Sequence, residues 1–273
     1  MPDSGDEEEK STIEQRTMKI DKAVILAAGR GTRMRELTAE LPKPMIEVRG
    51  KPVLQHTVEG LRDADVRTLL IIVGYHAEAV RSFFGNGARF DVSIEYATQR
   101  VQDGTGRVVN LARDFASDSP FLLVYGDILV DPVNYKQLAD LPNNAEAIIT
   151  VLRGEDVSKG GAVFVNERME LIDIREKSSP KDKTPATPGE SREPASPFYN
   201  AGLYAFRPGI FEFTANLKLS PRGEYELTDA IRELAQSGKI VKAFEISGEW
   251  ADVRDPEVLA KLNQIHAPTR RLP

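Results

Sequence analysis

The chain has 273 residues and no cysteine. That absence removes disulfides, thiolate metal sites and cysteine nucleophiles together. Histidine is almost as scarce: His56, His76 and His266 are scattered along the chain, so any metal is expected to be held by oxygen. No apolar run approaches the roughly 18 to 20 residues needed to cross a bilayer. The opening segment MPDSGDEEEK is acidic where a signal peptide would be basic and then apolar. These absences lead us to expect a cytoplasmic protein with no membrane partner. A basic surplus is also missing. The formal net charge is −6, and Asp3, Asp6, Glu7, Glu8 and Glu9 carry five of the negatives, so the rest of the chain is close to neutral. A protein that grips nucleic acid would normally show a basic face, and none is expected here. Small anionic ligands remain compatible, because a few local cations suffice.

What is present is a 41% hydrophobic composition, enough for one large core or a core with a small second lobe. We expect a disordered acidic tail over 1–18, one domain over 19–265, and a short tail over 266–273. From Lys22 onward, apolar runs rich in valine, isoleucine and leucine alternate with segments of helical period. This pattern predicts an α/β fold with a mostly parallel sheet covered by helices. Expected strands are Ala23–Ala28, Thr68–Val73, Ser93–Tyr96, Phe121–Tyr125 and Ala147–Val151. Expected helices are Pro52–Asp63, Ala77–Phe84 and Arg107–Phe115. After Val151 the rhythm becomes β-rich: Ala162–Val165 and Leu171–Ile174 read as a hairpin turning through Asn166–Glu170. Residues 178–197 hold five prolines, four serines and no large apolar residue, and read as a mobile surface loop. A strand at Phe198–Phe206, a helix at Leu227–Gln236, a strand at Ile240–Glu245 and a closing helix at Pro256–Gln264 complete the expected order.

The first candidate for chemistry is Val24-Ile25-Leu26-Ala27-Ala28-Gly29-Arg30-Gly31-Thr32-Arg33-Met34. A buried strand here runs into a loop with two glycines and two arginines. Glycines let backbone N–H groups approach an anion, and guanidinium forks hold phosphate oxygens in pairs. Alone, the same letters also fit an ordinary turn after a strand. A dinucleotide fingerprint requires a third glycine where Met34 stands. A P-loop requires lysine directly after the last glycine, but Thr32 follows Gly31.

The segment continues into Leu41-Pro42-Lys43-Pro44-Met45 and Gly50-Lys51-Pro52-Val53-Leu54. The strand, the AAGxGTR loop and the lysine in a KPM segment together resemble the nucleotidyltransferase family that makes nucleotide-sugars. The likeness extends from Lys22 to Leu262. It implies a Rossmann-like, GT-A-like fold with a small β-rich sugar-binding lobe. It also implies that Ala27, Ala28, Gly29, Gly31 and Thr32 lie along the nucleotide, and that Arg33 and Lys43 converge on its triphosphate as catalytic cations.

Weaker matches follow along the chain. Glu95-Tyr96-Ala97-Thr98-Gln99 and Asp103-Gly104-Thr105 resemble the family's base-reading segment, which gives Gln99, Gly104 and Thr105 to the nucleotide. Gly106 departs from the usual GTA or GLA form. Val124-Tyr125-Gly126-Asp127 and Trp250-Ala251-Asp252 resemble its two metal-binding elements, so Asp127 and Asp252 are the expected magnesium ligands. Without the resemblance, Asp127 is equally a loop residue or a helix cap. Gly161, the pair Glu176-Lys177, and Asn200 with Gly202 in Asn200-Ala201-Gly202 match sugar-phosphate positions. Read alone, Glu176-Lys177 is an exposed charge pair ending a hairpin. Thr228 reads first as a helix N-cap, and His56 and His76 as structural residues.

The resemblance implies transfer of a nucleotidyl group from a nucleoside triphosphate to a sugar 1-phosphate. Uracil is the first choice of base, thymine the second and guanine the third. A choline-phosphate cytidylyltransferase and a non-catalytic nucleotide-sugar-binding relative are the alternatives. The family often forms homo-oligomers, so this is an expected partner. The chain ends soon after its last expected helix, so no second acyltransferase domain is expected.

Overall fold

The computed structural model describes residues 16–31, 34, 38, 40–157, 160–176 and 198–264. Of the expected disordered tail over 1–18, residues 16–18 are described, and the expectation is corrected there: Thr17–Lys19 is a short strand antiparallel to Asp140–Pro142. The 178–197 loop and the C-terminal tail over 266–273 lie outside the described residues. The chain divides into two compact units that interleave in sequence: 21–100 with 123–137 and 247–273, and 1–20 with 101–122 and 138–246.

The first of these is the α/β unit. Strands Lys22–Ala27, Thr68–Val73 and Ser93–Thr98 pair in parallel, with Lys22 opposite Thr68 and Thr68 opposite Ser93. Val24, Ile25, Ile71 and Ile72 are essentially fully buried. This is why the first two strands read as nearly unbroken apolar runs, with both faces covered, whereas Ser93–Thr98 at the sheet edge keeps exposed polar residues. Helices Val53–Asp63 and Ala77–Phe84 supply the cover. Pro52, expected inside the first helix, instead caps it in an extended conformation and pairs with Glu47 in a small hairpin. A separate antiparallel pair joins Ile128–Val130 to Trp250–Asp252. Beneath it lies a cluster of Met34, Ile46, Val48, Val53, Leu129, Val253 and Leu262.

The second unit is β-rich. Leu171–Arg175, Ala162–Val165, Phe198–Phe206 and Ala147–Leu152 run antiparallel to their neighbours, and Val241–Glu245 joins Ala147–Leu152 in parallel. The hairpin turn at Asn166 forms as expected, with its side chain accepting hydrogen bonds from the backbone N–H groups of Arg168 and Glu170. Phe121 stacks on Phe211 with centroids 5.3 Å apart, which anchors the helix Ile210–Ala215.

Two further local expectations are corrected. The expected helix Arg107–Phe115 begins earlier, at Thr105, and is broken by a 3-10 segment over Val109–Ala112. Thr228 is not the N-cap of Leu227–Gln236. Glu226 holds that place in an extended conformation, because Tyr225 just before it exchanges backbone hydrogen bonds with Asp103 and Gly106. His56, as expected, is structural: its Nε2 lies 2.8 Å from the Val48 carbonyl.

Candidate active site

In the α/β unit, the strand Lys22–Ala27 delivers the buried Ala27 and Ala28 to the start of the loop, where Gly29 and Arg30 become exposed. A side chain added at Gly29 would meet nothing within 4 Å, so the loop's own packing does not require a glycine there. Gly31 is different. Its φ is +64°, and an added Cβ would come within 2.8 Å of the Lys43 Cβ and 3.1 Å of Thr38. The second glycine of the loop therefore exists partly to let the lysine stem pass across it. The two sequence motifs, fourteen letters apart in their anchor residues Gly29 and Lys43, are packed as one piece.

Lys43 opens a single 3-10 turn, Lys43–Met45, between the buried prolines Pro42 and Pro44. Proline on each side restricts the backbone and fixes where the side chain departs. The ammonium then donates to Asp127 Oδ2 and, at 3.2 Å, to Asp252 Oδ1. Asp127 follows the strand Phe121–Tyr125 after one glycine, and the short ladder of Ile128–Val130 with Trp250–Asp252 brings Asp252 beside it. The ladder is extended by Val253 N–H donating to the Asp127 carbonyl at 3.0 Å. Two carboxylates 125 positions apart thus share one ammonium.

The electrostatics follow from burial. Burial alone would lower the pKa of Lys43, but the charges of Asp127 and Asp252 outweigh it and the group is held above its ordinary value. For Asp252, burial raises the pKa, and the charge of Asp127 adds to this against the pull of Lys43. One ammonium serving two acids leaves the set with a net negative charge.

Whether this set suits magnesium can be judged from its donors. Among the described residues, no group of three or more His, Asp or Glu side chains could hold a metal by itself. Two aspartates fit a magnesium ion that takes one or two protein carboxylates and completes its shell with water and substrate phosphates. They do not fit a permanent all-protein cage.

Gln99 lies at the end of Ser93–Thr98, half-buried, with its backbone N–H bonded to the Val73 carbonyl at 2.8 Å. Thr32 and Arg33 fall outside the described residues. Arg30, the other arginine of the loop, lies over the Tyr75 ring at 5.8 Å.

In the β-rich unit, Gly104 adopts φ +118° and ψ 170°, and an added Cβ would lie 2.4 Å from the Tyr225 carbonyl oxygen. Only glycine permits this approach. Thr105 Oγ1 accepts the first helical N–H of Leu227–Gln236 at 3.4 Å, so this hydroxyl contributes to capping that helix. Gly161 and Asn200 are brought together by a 2.9 Å hydrogen bond from the Asn200 N–H to the Gly161 carbonyl. The Asn200 carboxamide is held by the Tyr204 hydroxyl at 2.8 Å. Gly202, at φ +81°, lies where the strand slips register against Ala147–Leu152, and the buried Thr150 hydroxyl bonds both the N–H and the carbonyl of Leu203 there. Glu176 is half-buried, and Lys177 lies outside the described residues.

Arg222 was not singled out by the sequence. Its guanidinium is 3.7 Å from Glu176, 2.8 Å from the buried Glu226, and 3.4 Å from Glu224. The signal that could have found it is the run Arg222-Gly223-Glu224-Tyr225-Glu226, a charged stretch directly before a helix. The fork of Arg49 on Glu249 was not foreseen either, because no letter pattern announces it.

A mostly parallel sheet, a glycine loop at a strand end and two aspartates beside it define an α/β class with its candidate ligand site at the carboxyl ends of the strands. The chain belongs to the nucleotidyl transferase family, whose model matches residues 22–267. It is 35% identical over 247 residues to the bifunctional protein GlmU of Methanocaldococcus jannaschii, a match covering 89% of this chain and 53% of that protein. The chain thus spans about half the length of that relative. It is 33% identical to the UTP–glucose-1-phosphate uridylyltransferase AglF of Haloferax volcanii, covering 86% of this chain and 92% of AglF. Among solved structures, a UDP-glucose pyrophosphorylase complexed with UDP-glucose superposes with a TM-score of 0.78 at 23% identity, over 90% of this chain and 98% of that one. That likeness carries the fold. A glucose-1-phosphate thymidylyltransferase from Bacillus anthracis, so described provisionally, matches with a TM-score of 0.74 at 27% identity, over 92% and 96%.

Proposed function

We propose that the protein joins a nucleoside triphosphate, UTP first and dTTP second, to a sugar 1-phosphate, giving a nucleotide-sugar and pyrophosphate. The observation that carries this reading is the assembly of Gly31, Lys43, Asp127 and Asp252 from three distant stretches of chain into one packed set. A non-catalytic binding protein would have no need to keep two half-buried like charges together. The preference for uracil is supported by the likeness to AglF, and that for thymine by the Bacillus anthracis structure.

An oxygen of the sugar 1-phosphate attacks the α-phosphorus of the nucleotide. The new P–O bond forms as the bond to the β-phosphate oxygen breaks, and pyrophosphate leaves with the electron pair. The nucleophile is already an anion, so no general base is required, and alignment and charge offset are what the residues must provide. Asp127 and Asp252 would hold the magnesium ion, which when bound supplies positive charge to the phosphate oxygens. Gly29 gives the triphosphate close access to the backbone, and Lys43 and Arg33 offset its charge. On the sugar side, Glu176 accepts hydrogen bonds from hydroxyls. Arg222 keeps that carboxylate in place, Lys177 holds the phosphate, and Asn200 and Gly161 line the ring.

The test is a panel of UTP, dTTP, GTP, CTP and ATP against several sugar 1-phosphates and choline phosphate, read by pyrophosphate release. Release with UTP and a sugar 1-phosphate is expected. No release with any pair sinks the reading, and release with choline phosphate alone reassigns the acceptor.

A further inference from the structure

Lys43 stands in a position that a metal ion would also claim. Its ammonium contacts both candidate ligands, Asp127 and Asp252, and its side chain is only 12% exposed. Its stem crosses the loop so closely that a Cβ added at Gly31 would fall 2.8 Å from the Lys43 Cβ and 3.2 Å from its Cγ. Gly31 is part of the proposed phosphate loop, so an anion held there would offer the Nζ oxygens other than those of the two aspartates.

We infer that Lys43 is the resident counterion of the Asp127–Asp252 pair: it competes with a divalent cation for these carboxylates and gives way when the triphosphate offers it other oxygens. This rests on the reading of the two aspartates as metal ligands and extends it to the order of binding. Two carboxylates with one ammonium carry a net single negative charge, and a divalent ion entering beside the ammonium meets repulsion. With the ammonium gone, the same ion meets two unopposed carboxylates. Metal and nucleotide therefore bind cooperatively, each weak without the other.

The experiment uses the full chain and measures Mn2+ binding without nucleotide by electron paramagnetic resonance. Wild type, Lys43→Met, Lys43→Arg and Asp252→Asn are compared. Lys43→Met is expected to bind Mn2+ on the order of tenfold more tightly than wild type, because one unit of nearby positive charge has been removed. Lys43→Arg keeps the charge and is expected to stay close to wild type, which separates charge from packing. Asp252→Asn is expected to bind more weakly. Adding UTP should close the gap between Lys43→Met and wild type. Thermal melting gives a second readout: Mn2+ should raise the melting temperature more in Lys43→Met. Should that variant fail to fold, Lys43→Gln carries the same expectation. If neither neutral variant binds Mn2+ more tightly while Asp252→Asn weakens binding, the counterion role is wrong and the metal site stands. If Asp252→Asn leaves Mn2+ affinity unchanged, both fall.

Discussion

The α/β unit and the β-rich unit carry their candidate site residues in different ways. In the first, the decisive groups are charged side chains: one ammonium and two carboxylates, held at a prolyl turn and on a three-residue ladder. In the second, backbone shape carries more of the work, through Gly104 against Tyr225, Gly161 against Asn200, and the register slip at Gly202. Under the proposed roles, balancing triphosphate charge needs ions in fixed places, whereas fitting a sugar phosphate needs shaped backbone beside a few charges such as Glu176 and Arg222. On this view, substitutions in the first unit should damage turnover with little loss of fold. Those in the second should damage fold or substrate affinity.

The largest effect expected is from Asp127→Asn. It keeps size and removes the charge, and turnover by pyrophosphate release should fall about 10²- to 10³-fold, comparable with removing one preorganised charge-stabilising group. The melting temperature should change little. A variant that retains more than a third of wild-type turnover would break the contrast at its charged end.

A matched pair of glycine substitutions addresses the backbone end. Gly104→Ala places a Cβ 2.4 Å from a carbonyl oxygen at a φ of +118°, so a loss of about 2 to 4 kcal/mol in urea unfolding is expected. Gly29→Ala meets nothing within 4 Å and should leave stability within about 0.5 kcal/mol. Its effect should appear in the KM for nucleoside triphosphate, because the methyl group stands between the loop and its ligand. Equal stability losses in both would show that the loop glycine is conformational rather than functional.

Glu176→Gln comes next in size. The KM for sugar 1-phosphate should rise about tenfold, the cost of one hydrogen bond to a charged group, with the KM for UTP unchanged. A rise in the UTP KM instead would move Glu176 out of the sugar side.

How much of this was legible in the sequence depends on where the forming interactions lie. Thr68–Val73 was readable because five apolar residues in a row, Leu69 to Val73, are buried on both faces, a local signature of a parallel core strand. Trp250–Asp252 was not readable as a strand. It is three residues long and half-exposed, and exists through its pairing with residues 128–130, more than a hundred positions away. Thr228 misled for a similar reason. A threonine before a helical run has the letter of a cap, but the hydrogen bonds of Tyr225 to Asp103 and Gly106 set the helix start two residues earlier. Lys43, Asp127 and Asp252 were singled out by family likeness, yet nothing in their spacing announced that the lysine bridges the two acids. Arg222 escaped because a charged run such as Arg222 to Glu226 looks like solvated surface, and only the fold brings the distant Glu176 to the same guanidinium.

The smallest effect concerns a support of the charged set. Arg49 lies in a left-handed conformation, φ 55°, in a two-residue turn with Gly50, where a non-glycine residue is mildly strained. Its N–H donates to Asn263 Oδ1 at 2.8 Å, and its guanidinium forks onto the carboxylate of Glu249, three residues before Asp252. The segment from Lys43 to Arg49 therefore holds the strand of Asp252 at two points. Glu249→Gln keeps the shape but removes the charge and one of the two acceptors. Glu249 is 37% exposed, so the pair should contribute only about 0.5 to 1 kcal/mol of stability. Turnover should fall severalfold through displacement of Asp252 rather than through lost chemistry. If Glu249→Gln lowers turnover as far as Asp127→Asn does, anchoring of the strand outweighs the charge it carries. The α/β unit would then depend on backbone placement as much as its β-rich counterpart.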